Sequence, residues 1–100
     1  MYPRIDGKGY VYRIINLINN KTYIGSSIDP SERFHSHYIS SINENCPTYN
    51  YPLYKAFRKY GIDNFAFEIL EKCYISEMQE KEKNYIILYN SLTNEGWGYN

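Results

Sequence analysis

At 100 residues the chain makes one domain, residues 1–100, and a domain this small hides only roughly 60–65% of its extended-chain surface, so each large side chain counts. Eleven lysines and arginines balance eleven aspartates and glutamates, which excludes a global field that would draw in polyanions; any nucleic-acid contact must come from a local patch. Thirteen tyrosines exceed what so small a core needs, and a tyrosine can bury its ring while keeping its hydroxyl for a partner or for chemistry.

Residues Tyr10 to Ile15 are β-branched and aromatic, Asn19-Asn20-Lys21 is a turn signal, and Thr22 to Ser26 resumes strand character, which predicts a β-hairpin. A two-residue turn at Asn19-Asn20 would set Tyr12 and Ile14 on one face with Tyr23 and Gly25. Asp29-Pro30-Ser31-Glu32 reads as a helix start, with aspartate as cap, proline in the first turn and glutamate three residues after the cap; the helix should run to about Ile42. Asn43 to Asn50 is a polar loop. Pro52 opens a second helix through Leu53, Ala56, Phe57 and Tyr60, closed by Gly61. Phe65 to Cys73 alternates, with Phe65, Phe67 and Ile69 on one side, and predicts a third strand. Ser76 to Gln79 has capping-box spacing and opens a helix to about Tyr89. The tail, Asn94 to Asn100, is expected to be a loop returning to the body. The order β-β-α-α-β-α predicts an α+β fold, a small three-stranded antiparallel sheet flanked by helices.

Cys46 and Cys73 lie too far apart for a C-x-x-C zinc half-site and read as structural or incidental thiols. With no basic-then-apolar leader and no apolar run near the roughly 20 residues of a membrane span, the chain is expected to be soluble and intracellular, without a membrane partner.

Glu82 stands out by position. Met78, Tyr85, Ile86 and Tyr89 form an apolar stripe on the last helix, and Glu82 shares that stripe at three- and four-residue spacing. A buried carboxylate is unfavourable by several kcal/mol unless paired, protonated or metal-bound, so a salt bridge and a metal-ligand role both remain open. Arg33 and His37 are four apart and share a helix face, whereas His35 projects away. An arginine can fork onto phosphate oxygens and a histidine beside it can hold or move a proton, although both residues are also common on surfaces. Tyr12 and Tyr23, taken alone, fit simple strand packing.

Taken together, Tyr10-Val11-Tyr12, Tyr23-Ile24-Gly25, Arg33, His37, Glu82 and the closing Gly98-Tyr99-Asn100 resemble the GIY-YIG nuclease superfamily over roughly residues 9 to 100. The asparagine-rich turn and the segment Tyr23 to Ser26 look most like the catalytic domain of phage-type homing endonucleases. Two departures stand out: Tyr10 occupies the glycine position of the first motif, with Gly9 before it, and Cys46-Pro47 stands in a loop where some relatives carry another functional histidine.

The resemblance implies a DNA endonuclease that hydrolyses phosphodiester bonds with one divalent ion, Mg²⁺ or Mn²⁺, held by Glu82. It implies catalytic roles for Tyr12, Tyr23, Arg33, His37, Glu82 and Asn100, with Gly25 a structural part of the motif. Tyr12 would contact the attacking water with His37, whose reference pKa is near 6.5, as its proton partner, while Asn100 and the Tyr23 hydroxyl orient phosphate or water. Arg33, Lys55, Arg58 and Lys59 are the candidate DNA-binding patch. In the homing group a separate recognition domain, joined by a linker, usually supplies specificity, and nothing in this chain matches one. The rival readings are a member that binds nucleic acid without cutting and a tyrosine-rich protein-interaction domain.

Overall fold

The computed structural model describes residues 7–89 and 98–100. Within them the order is β1 (Lys8–Asn16), β2 (Thr22–Ser27), α1 (Pro30–Ile42), α2 (Pro52–Tyr60), β3 (Phe65–Tyr74) and α3 (Met78–Leu88), with single 3₁₀ turns at Ile62–Asn64 and Ile75–Glu77. The strands form one antiparallel sheet in the order β2-β1-β3, as the sequence predicts. The tail expected from Asn94 lies outside the described residues up to Trp97.

The hairpin keeps the predicted faces but not the predicted register. Tyr12 pairs with Gly25 and Ile14 with Tyr23, a slip of two positions that preserves side-chain parity. The turn is longer than two residues because Asn16 closes it: the Asn16 carbonyl accepts from the Asn20 N–H at 2.7 Å and its side-chain oxygen from the Ile18 N–H at 2.9 Å. Asn20 supplies the left-handed step at φ 63°.

Each helix start has a local cause. The Asp29 carboxylate accepts from the Glu32 N–H at 3.2 Å, with Pro30 in the first turn of α1, and α2 ends where Gly61 adopts φ 87°. The predicted box at Ser76 is not the device that opens α3; the Glu77 carboxylate reaches back to the Tyr74 N–H at 3.1 Å across the 3₁₀ turn, and α3 follows from Met78.

One feature of β3 escapes simple alternation. Tyr12 pairs with Ile69 but Val11 with Glu71, so Leu70 is an extra residue, a bulge that reverses side-chain parity. Before it, Phe65, Phe67 and Ile69 join Tyr12 and Ile14 beneath α1 and α2 in a core with Leu53, Tyr54, Ala56 and Phe57. After it, Cys73 turns to the other face and joins Val11 and Ile24 beneath Met78, Tyr85, Ile86 and Tyr89. The sheet is therefore covered on both sides, by α1 and α2 on one and by α3 on the other. Both cysteines are free thiols.

Candidate active site

Four elements converge on Tyr12 and His37. β1 carries Tyr12, β2 carries Tyr23, α1 carries Arg33 and His37 one turn apart, and α2 carries Tyr54. The Tyr12 hydroxyl lies 2.8 Å from His37 Nε2, and His37 Nδ1 lies 2.7 Å from the Tyr54 hydroxyl, so one buried imidazole bridges two phenols. The His37 ring packs edge-on against Tyr23 and Tyr54, with centroids 5.3 and 5.7 Å away, and Phe34 meets Tyr12 edge-on at 5.0 Å. Tyr12 and His37 are each only 1% exposed. Gly25 makes this possible: a Cβ there would overlap the Tyr12 hydroxyl and ring, which are held on their other sides.

Above the buried pair opens a cleft of about 270 Å³, counting space continuous with solvent, lined by Tyr23, Arg33, His37, Tyr51, Leu53, Tyr54 and Tyr99. Tyr23 and Arg33 thus face the opening, whereas Tyr12 sits behind them. Glu82 approaches from the α3 side of the sheet. Its Oε2 accepts from the Ser26 hydroxyl at 3.0 Å, one residue beyond Gly25, and it forms no salt bridge among the described residues. It is half-buried at the edge of the sheet rather than sunk in the apolar core that its helical position suggests.

The last three residues extend the sheet beside β2. Gly98 bridges Thr22 in parallel, and the Tyr99 N–H donates to the Thr22 carbonyl at 2.9 Å. The Asn100 amide then acts like a further peptide group, its oxygen accepting from the Ile24 N–H and its nitrogen donating to the Ile24 carbonyl, both at 2.7 Å. The Tyr99 hydroxyl accepts from Asn16 Nδ2 at 3.1 Å. Lys55 and Lys59 are exposed on α2, but Arg58 is engaged, donating to the carbonyls of Ser41 and Tyr49 at 2.7 and 2.8 Å.

Burial sets the electrostatics. It pushes the Tyr12 phenol well above its ordinary value, with Tyr23 and Glu82 adding to the rise and Arg33 opposing it. Tyr23 is raised for the same leading reason. Burial works against the Arg33 charge, but the surrounding phenols Tyr12, Tyr54 and Tyr23 more than offset that and leave its pKa above the ordinary value. His37 is pulled down to about 3, first by burial and then by the Arg33 charge. With nearly all of its surface covered and a cation beside it, the imidazole is held toward its neutral form.

Residues 8–100 match the sequence pattern of the GIY-YIG catalytic domain. The chain belongs to the GIY-YIG catalytic domain family. Its structure is similar to that of the catalytic domain of homing endonuclease I-TevI, with a TM-score of 0.76 and 29% identity, covering 92% of this chain and 96% of that one. It is also 45% identical over 67 residues to "Probable intron-encoded endonuclease 1" of Neurospora crassa, a match spanning 67% of this chain and 20% of that protein. MSV199 domain-containing protein 146R of Invertebrate iridescent virus 6 is 33% identical over 90 residues, 85% of this chain and 35% of that protein. The chain thus spans about a third or less of the length of these curated relatives.

In this GIY-YIG domain the displaced glycine of the first motif has a steric reason. Met78, at the start of α3, lies on Gly9, where a Cβ would overlap its sulfur, so any larger residue one position before Tyr10 would have to displace that flexible side chain. Sequence reasoning missed Tyr54, whose place on an amphipathic helix resembles ordinary packing, and singled out Ser26 only as part of a motif. The surplus of tyrosines was the available signal for both Tyr54 and Tyr51.

Proposed function

We propose that this domain is a metal-dependent DNA endonuclease that hydrolyses phosphodiester bonds. The observation that carries the reading is the meeting of Tyr23, Arg33 and His37 at one cleft with Tyr12 bonded behind them, and with Glu82 near enough across β2 to bear on both tyrosines. A pure binding module has no need of an acid close to its cleft tyrosines, whereas metal-assisted hydrolysis does.

The donor set fits a divalent ion of the Mg²⁺ type. Among the described residues no three His, Cys, Asp or Glu side chains converge, so an all-protein cage is not the match. Mg²⁺ instead takes one or two carboxylates with waters and substrate phosphate, and Ser26 occupies only one of the roughly four acceptor positions of the Glu82 carboxylate. Mn²⁺ suits the same hard oxygen. When bound at Glu82 the ion would neutralise charge on the phosphate and stabilise the departing 3′ oxygen.

Arg33 would hold the scissile phosphate from the cleft floor and tighten on it as negative charge develops; losing such a donor typically lowers the rate by about 10²–10³. Tyr23, beside it, would orient phosphate or water. Tyr12 would take the proton of the attacking water as it passes its own to His37 Nε2. That direction requires the tautomer in which Nδ1 carries hydrogen and donates to Tyr54, so Tyr54 acts as a positioning residue. Phosphate bound to Arg33 also cancels one of the two causes that depress the His37 pKa, making the imidazole a better acceptor when substrate is present. Asn100 acts through β2, holding the Ile24 backbone and with it the Tyr23-Ile24-Gly25 segment. Lys55 and Lys59 supply exposed charge for neighbouring phosphates, and a separate recognition domain would add target specificity.

A plasmid nicking assay with and without Mg²⁺ tests this. The parent should cut only with metal, and Glu82→Ala should be inactive while keeping its circular dichroism spectrum. Cleavage by Glu82→Ala near the parent rate would refute the site.

A further inference from the structure

The loop between α1 and α2 is tightly held. The Cys46 N–H donates to the Asn43 carbonyl, Tyr49 to Cys46 and Tyr51 to Thr48, all within 2.9–3.0 Å. Arg58 ties the loop to α2 through the Tyr49 carbonyl and lies over the Tyr49 ring at 3.7 Å. This pinned loop ends in Tyr51, whose ring stacks on Tyr54 with centroids 6.0 Å apart and planes within 16°. Yet Tyr51 is 57% exposed. One side of the ring is backed by buried Tyr54 while much of the rest meets water, and it lines the same cleft as Arg33.

A half-exposed aromatic held in place beside a phosphate-binding cation has the two components of a single-strand platform: charge for the backbone and a flat π-face for a base. Tyr51 adds little to the core from its position, and its rigid mount lowers the ordering loss on binding. We propose that Tyr51 is a stacking platform for an unpaired nucleobase of the cleaved strand, flanking the phosphate held by Arg33. This rests on the nuclease reading and adds a substrate preference to it. In an intact duplex both faces of a base are covered by its neighbours, so a base must leave the stack to reach Tyr51. The domain therefore favours DNA in which a nucleotide beside the cut is already unpaired.

The probes are a fluorescently labelled short oligothymidylate and an abasic oligomer of equal length and phosphate number, titrated by anisotropy with the Glu82→Ala protein, which does not cut. With Tyr51 present the oligothymidylate should bind about 5- to 150-fold more tightly than the abasic strand. Tyr51→Ala should remove that advantage and leave the abasic affinity unchanged, while Tyr51→Phe and Tyr51→Trp retain it. Equal binding of both strands by the Tyr51 protein, or an advantage that survives Tyr51→Ala, overturns the platform while metal-dependent nicking by the Glu82 parent leaves the nuclease reading intact. No binding of either strand, with no nicking by the parent, overturns both.

Discussion

The neutral, buried His37 makes a prediction that needs no DNA. Its pKa falls from a reference near 6.5 when unfolded to about 3 when folded, so between those values the unfolded chain binds more protons at this site. Stability from this group is fully present above pH 6.5 and is lost as the pH falls toward 3. Each unit of pH well inside that window removes about 1.4 kcal/mol, so lowering the pH from 6.5 to 4.5 should remove on the order of 2 kcal/mol, a large share of the roughly 5–15 kcal/mol that stabilises a domain. Urea unfolding at half-unit steps, for the parent and for His37→Gln, isolates the histidine. The variant starts less stable at neutral pH, because Tyr12 and Tyr54 lose a partner, but its stability should change little from 6.5 to 4.5 while the parent's declines. Parallel slopes for the two proteins, or an NMR titration of the His37 ring near 6.5, would refute the reasoning.

The other predictions concern the groups around that imidazole. Tyr54→Phe leaves Nδ1 without its partner and should destabilise the domain by about 1–3 kcal/mol. It should also lower kcat while leaving the affinity for DNA near parental; a matching loss of affinity would place Tyr54 in binding instead. Gly25→Ala drives a methyl into the Tyr12 ring and should lower stability by about 1–3 kcal/mol together with a severe loss of cleavage, which a parental melting temperature and rate would contradict. Asn100→Ala removes two hydrogen bonds to Ile24, so the Ile24 amide should exchange with solvent faster than other amides of β2, and uniform exchange would rule out a local clamp. The acidic limb of kcat/KM should lie well below pH 6 if His37 is the proton acceptor, and a limb at 6.5 would assign the step to another group.

Much of this was legible because local chemistry governs it. The caps at Asp29 and Gly61, the shared face of Arg33 and His37, and the placement of Glu82 on an apolar stripe all follow from spacing within one element. What could not be read depends on partners distant in sequence. The hairpin slipped by two because the Asn16 side chain rebuilt the turn, and parity hid the slip from any argument about faces. The bulge at Leu70 leaves no mark in composition, since Glu71 after it pairs with Lys81 and Tyr85 and so behaves as a polar residue at an edge. Burial moved the Tyr12 pKa up and the His37 pKa down, and the Asn100 amide pairs with the Ile24 backbone.

The sheet acts as a partition between two rooms. Tyr12, His37 and Tyr54 occupy one side, the Glu82 carboxylate is mounted on the other, and they approach each other at the β2 edge where Ile24, clamped by Asn100, is followed by Gly25 and Ser26. Their separation is therefore governed by the thickness of a single sheet, a dimension that side-chain repacking scarcely alters. Substitutions in the cluster under α3 and in the one under α2 should add independently in their effects on stability, yet either could change the reaction if it shifts that edge. The two sides can thus diverge separately in sequence while three consecutive residues of β2 keep them aligned.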